Sequence, residues 1–168
     1  MSISVMDKQG TARIDRRWLA RKAQKLLEIL GCPAEELSVL LVDDGEMAEI
    51  NGRYRGEKRP TDVLAFPMRE GAFHDLPTGL LGDVVISVES ARRQTPLRRP
   101  AGPRTEEKVR PPVAREGEAL GGEVLRLLIH GTLHLLGHDH QTPKEARKMR
   151  AEENRCFRAL GPKGKANP

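Results

Sequence analysis

Four of the five histidines in this 168-residue chain lie between His130 and His140, in the stretch HGTLHLLGHDH. His130 and His134 are four residues apart, so on a helix they share one face and can hold one ion together. Gly137 then breaks the helix and lets the chain turn, which can bring His140 round as a third ligand. Three neutral imidazoles leave the charge of a divalent ion uncompensated and one coordination position open, the pattern of a catalytic rather than a structural zinc site. Such an ion lowers the pKa of a bound water to ~7 and polarises a bound oxygen. The expectation is one Zn2+ held by His130, His134 and His140.

The full spacing, H-x-x-x-H-x-x-G-x-x-H, is that of the metzincin peptidases, except that Gly131 stands where those enzymes carry their glutamate base. Glu123 cannot replace it: seven residues along a helix is about 10.5 Å, too far to reach an ion at His130. Glu153 falls on the apolar stripe Ala146, Met149, Cys156, Phe157, Leu160 of the last helix. A carboxylate facing inward needs a partner, so Glu153 is expected to support the metal site or to pair with an arginine. His138 reads as a pocket wall, Asp139 as a holder of a ligand imidazole or a cap of the turn, and His74 as a loop residue.

The elements that must position these groups follow from pattern. Ser2–Met6 reads as a strand. A helix with Asp15 as N-cap and Gly31 as its stop follows, and Glu36–Val42 is a second strand. Asp43 or Asp44 can cap a short helix through Met47, Ile50 and Asn51. Gly56 and Pro60 mark a turn before the strand Asp62–Phe66, closed by Pro67. Leu80–Ser87 is a fourth strand and Val88 to about Gln94 a short helix. Residues 95–118 hold five prolines without apolar periodicity and read as a flexible insertion, with a basic arm for RNA phosphates as its sharper reading. The helix that carries the histidines, from Ala119 to Gly137, is apolar nearly all round and therefore buried. Thr142 and Pro143 open a last helix that Gly161 ends, and 162–168 read as a disordered tail. The order predicts a single α/β (α+β) domain over 1–168, with one sheet of about four strands and about five helices.

Composition narrows the setting. No apolar run approaches the ~18 residues of a membrane span, and the N-terminus lacks the pattern of a secretory signal, so no membrane partner and a cytoplasmic location are expected. Cys32 and Cys156 read as reduced packing residues. The net charge of +5 favours a polyanionic partner. The only rings besides histidine are Trp18, Tyr54, Phe66, Phe73 and Phe157, so no stacking platform for RNA is expected and phosphate contacts must dominate.

The chain resembles the YbeY family of bacterial endoribonucleases, the rRNA maturation factors. The resemblance rests on HGTLHLLGHDH, on NGRYRGEKRPTDVLAFP (Asn51–Pro67), on LLGDVVIS (Leu80–Ser87) and on the closing helix EARKMRAEENRCFRALG, and covers most of 36–161. It implies a small α/β domain with a mixed sheet and a metal helix like that of metalloproteases. It also implies a metal-dependent, single-strand-specific endoribonuclease that matures the 3′ end of 16S rRNA. Single-stranded rRNA and the small subunit or its assembly proteins are the partners it implies. By position, His130, His134 and His140 are the zinc ligands. Arg55 matches the family's functional arginine, a catalytic and substrate-binding residue beside His130 that would grip a non-bridging phosphate oxygen. A metal plus an arginine can stabilise charge on a phosphoryl group, which makes a carboxylate base at position 131 less necessary. Ala65 stands where the family usually has serine, and 95–118 is longer than the family's usual link into the metal helix. The other readings are a non-catalytic assembly factor with a structural metal and a zinc peptidase, against which Gly131 argues.

Overall fold

A computed structural model describes residues 3–68, 79–95 and 116–161. His74, the middle of the 95–118 insertion and the tail 162–168 lie outside the described residues.

The described residues form four strands and five helices, alternating at first, then two successive strands and three successive helices. Strand β1 (Ile3–Asp7) has the alternating burial of a sheet with one covered face. Helix α1 (Arg16–Ile29) starts at Asp15, whose carboxylate accepts from the backbone N–H groups of Arg17 and Trp18 at 3.0 and 3.1 Å. It ends at Gly31, whose φ of 78° lets the N–H groups of Gly31 and Cys32 fold back onto the carbonyls of Glu28 and Leu27. Strand β2 (Glu36–Val42) leads to helix α2 (Asp44–Arg55), capped by Asp43 through the Glu46 N–H at 2.8 Å. This helix is a turn longer than its sequence pattern predicts. It runs through Arg55 and stops only where Gly56 turns left-handed, at φ 71°.

Strand β3 (Val63–Pro67) includes Pro67, which the sequence reading placed just outside the strand. A proline is tolerated because β3 is an edge strand. Strand β4 (Leu80–Ser87) runs into helix α3 (Val88–Gln94), capped by the Ser87 hydroxyl. Helix α4 (Glu116–Leu135) begins three residues inside the stretch read as a flexible insertion; those residues are polar or glycine, so the apolar pattern could not reveal the first turn. Helix α5 (Pro143–Leu160) opens on Thr142, whose hydroxyl accepts from the Glu145 N–H at 3.1 Å.

The sheet has the order β1-β2-β4-β3, with β1, β2 and β4 parallel and β3 antiparallel to β4. One face carries the main core. Leu37, Val39, Leu41, Val84 and Ile86 pack there against Leu19, Leu26 and Leu27 of α1 and Val124, Leu125 and Leu128 of α4. Cys156 is buried in that core, and Cys32 packs at its edge. On the opposite face Val42, Leu64 and Val85 meet Met47 of α2. The two helices that matter for the site, α2 and α4, therefore lie on opposite sides of the β3 edge.

Candidate active site

Helix α4 crosses β3 and β4 closely enough that a Cβ at Gly131 would lie 2.7 Å from Cγ1 of Val84 and 3.2 Å from Cγ2 of Val63. Position 131 thus has no room for a side chain, let alone a peptidase glutamate. The missing carboxylate and the close helix–sheet contact are one fact. His130, the residue before Gly131, and His134, three residues after it, face a cleft, with their Nε2 atoms 3.1 Å apart. Gly137, at φ 93°, reverses the chain and brings His140 to the same place. Ligand nitrogens of His130, His134 and His140 all lie within 4.8 Å of one another.

An ion at the usual zinc–nitrogen distance of ~2.0 Å in tetrahedral geometry needs nitrogens about 3.3 Å apart. The His130–His134 pair meets this, and the exposed His140 has to close by about 1.5 Å at most. The donor set fits a metal ion: all three ligands are imidazoles, two on a rigid helix and the third on a turn that can adjust.

Glu153 answers the question raised by its place on the α5 stripe. Its Oε1 is hydrogen-bonded to Nδ1 of His130, so this carboxylate orients the imidazole and leaves Nε2 facing the cleft. The Glu153 hydrogen bond raises the His130 pKa against the downward push of burial, and Asp62 adds a smaller upward pull. His134 is shifted the other way. Burial lowers its pKa, with the neighbouring His130 and His140 adding to the effect, and a hydrogen bond to the backbone of His138 opposes it. A lowered pKa favours the neutral ring that a metal requires. Asp139 caps the turn, its Oδ1 accepting from the His140 backbone N–H at 2.7 Å. The same oxygen is 4.0 Å from His140 Nδ1, too long for a hydrogen bond. His138 is in the cleft wall, as its sequence position suggested.

The cleft has a volume of about 670 Å3. Val63, Ala65 and Pro67 of β3 form one wall, the three histidines the floor, and Arg55, from the end of α2, the rim. Ala65 puts no hydroxyl into that wall. Arg55 is exposed and makes no ion pair with a described residue. Its loop is fixed from behind: Nδ2 of the buried Asn51 donates to the Arg59 carbonyl at 2.8 Å. Glu123 is not in the cleft wall; its carboxyl pKa is raised by burial, with Arg126 pulling it down.

Asp62 was missed as a site residue by sequence reasoning, which saw only the start of a strand. It lines the cleft, and it is held by the Val63 N–H at 2.8 Å and the Gln94 side chain at 3.1 Å. No pattern in the sequence announces the Gln94 contact, which spans 32 residues.

The model of the family described as Endoribonuclease YbeY matches residues 4–100 and 105–161. The chain belongs to the endoribonuclease YbeY family. Among curated members, the Endoribonuclease YbeY of Syntrophus aciditrophicus (strain SB) is 37% identical over 159 residues, covering 94% of this chain and 88% of the relative. That of Thermobifida fusca (strain YX) is 40% identical over 159 residues, covering 92% and 90%. The fold is also similar to the solution structure of TM1509 from Thermotoga maritima, with a TM-score of 0.56 and 25% identity over 99% of this chain and 94% of that one. The α/β architecture with a mixed four-stranded sheet agrees with what the resemblance implied. Among the described residues no helix is long and apolar enough to cross a membrane.

Proposed function

We propose that this member of the family is a zinc-dependent, single-strand-specific endoribonuclease of the cytoplasm that matures the 3′ end of 16S rRNA. In this reading it holds one ion per chain and meets its substrate on the small ribosomal subunit or its assembly proteins. The observation that carries the reading is the convergence of His130, His134 and His140 on the floor of a cleft whose rim is Arg55.

His130, His134 and His140 would hold the ion, which when bound supplies Lewis-acid polarisation and an acidified water. The protein's own groups do the rest. Glu153 keeps the proton of His130 at Nδ1, so that Nε2 remains a donor of its lone pair. Arg55 grips a non-bridging phosphate oxygen with its planar fork and stabilises charge that builds on the phosphoryl group. Because the rim is open, an extended single strand can lie across it, whereas a peptidase base has no place to stand at Gly131.

The test is cleavage of a single-stranded RNA carrying the 3′ end of precursor 16S rRNA. Wild type should cut it. Chelator-treated protein and His134→Ala, each shown folded by circular dichroism, should lose about 10^3-fold or more in rate, since the ion accounts for several kcal/mol of transition-state stabilisation. Equal cutting by all three would assign the activity to a contaminant and leave the assembly-factor reading in front.

A further inference from the structure

Two rings that the metal cleft does not use lie just round the β3 edge from it. Tyr54 is 65% exposed, and its ring centroid is 5.1 Å from that of Phe66, with the planes tilted by 59°. Phe66 is itself packed against the cluster of Val42, Met47, Leu64 and Val85, so it backs Tyr54 from a fixed position. A solitary exposed ring on a helix needs no explanation, but an exposed ring propped on a second, anchored ring is an aromatic platform.

Its place in the fold ties it to the cleft. Along β3, Ala65 and Pro67 line the cleft, while Phe66 between them points to the other face. Along α2, Tyr54 immediately precedes Arg55, which lines the cleft. Tyr54 is thus the chain neighbour of a residue on the cleft rim, and Phe66 the chain neighbour of two in its wall. Basic residues flank Tyr54 in the chain: Arg53, Arg55 and Lys58 are exposed and make no ion pair with a described residue, and Glu57 is taken up by Arg59 at 3.1 Å.

We propose that Tyr54, backed by Phe66, is a base-stacking subsite for the nucleotide adjacent to the phosphate that Arg55 grips. The occupant is single-stranded RNA, and the inference rests on the nuclease reading above. Stacking on a ring flanked by cations is the usual means of holding single strands without choosing sequence, since every base has a π face. The low aromatic content pointed to no such platform; the fold supplies one by bringing together two rings that are twelve residues apart.

The experiment measures binding of a fluorescent single-stranded RNA of about 12 nucleotides, with a 2-aminopurine reporter, to the full chain after chelation, so that binding is read without cutting. Tyr54→Ala should weaken binding by about 5- to 50-fold and abolish the reporter's quenching, while Tyr54→Phe should stay within about 2-fold of wild type. The loss in Tyr54→Ala should be the same at low and high salt, whereas Lys58→Ala should flatten the salt dependence. Circular dichroism checks that the exposed substitutions leave the fold intact. If wild type and Tyr54→Ala bind and quench alike, the subsite is overturned and the nuclease reading stands. If neither binds RNA, and zinc-loaded wild type neither binds nor cuts it, both fall together.

Discussion

The floor and the rim of the cleft are built on opposite principles. The floor is rigid: His130 and His134 are half-buried on α4, whose close approach to β3 and β4 allows no side chain at Gly131, and Glu153 reaches over from α5 to orient His130. The rim is open: Arg53, Tyr54, Arg55 and Lys58 are exposed, and what steadies them is backbone geometry, namely Gly56 and the Asn51–Arg59 hydrogen bond. A group that holds an ion gains from preorganisation, because ligands locked in place lose little entropy on binding. A group that meets a long polyanion gains from staying solvated until the partner arrives, since paired surface charges would first have to be separated.

This contrast can be broken experimentally. Arg55→Lys replaces the planar fork with a point charge at the rim and should reduce cleavage by about 10- to 100-fold, the worth of a charge-assisted hydrogen bond, with zinc affinity unchanged. A rate equal to wild type would remove the bidentate role. Glu153→Gln should do the reverse. It weakens the support of His130 on the floor, so zinc affinity, read by competition with a chromophoric chelator, should fall by about 10-fold while affinity of the chelated protein for RNA holds. Unchanged zinc affinity would reduce Glu153 to a packing residue.

Gly131→Ala probes the rigidity of the floor directly. The added Cβ at 2.7 Å from Val84 must shift either α4 or the Val84 side chain, so unfolding in urea should show a loss of about 1–3 kcal/mol. No loss would mean that the helix has slack there.

The smallest effect lies at the far end of the helix that carries the rim. Asp44 accepts from the Ser87 and Ser90 hydroxyls at 2.7 and 2.8 Å and from Arg93 at 2.5 Å. The Arg93 hydrogen bond, with the two serines, holds its carboxyl below the ordinary value of 3.8. A pKa lowered in the folded state adds stability that is fully present above the unfolded value of 3.8 and is lost as pH falls through the lower folded value. Wild type should therefore exceed Asp44→Asn in stability near neutral pH, and the gap should narrow as pH falls below 3.8 in urea titrations. A gap independent of pH would exclude the carboxylate as its source.

Local chemistry determined what could be read from the chain alone. Asp15, Asp43, Thr142, Gly31 and Gly137 mark helix ends because capping and left-handed turns depend on residues a few positions apart. His130 and His134 announce a metal face for the same reason: helical geometry makes i and i+4 neighbours whatever surrounds them. Where the pattern runs out, the sequence misleads slightly, as at the polar first turn of α4 and the last turn of α2.

The tertiary structure decided the rest. The Glu153 carboxylate meets His130 across 23 residues, Gln94 meets Asp62 across 32, and Tyr54 rests on Phe66 across the β3 edge. Arg55, an ordinary exposed arginine by its local context, becomes the rim of the metal cleft because α2 and α4 flank the same edge strand. Gly131 reads in the sequence as the absence of a base and in the fold as the point of closest helix–sheet approach. Contacts of this kind depend on how elements pack, and packing constrains total shape and volume rather than any single residue, so no short stretch of sequence encodes them.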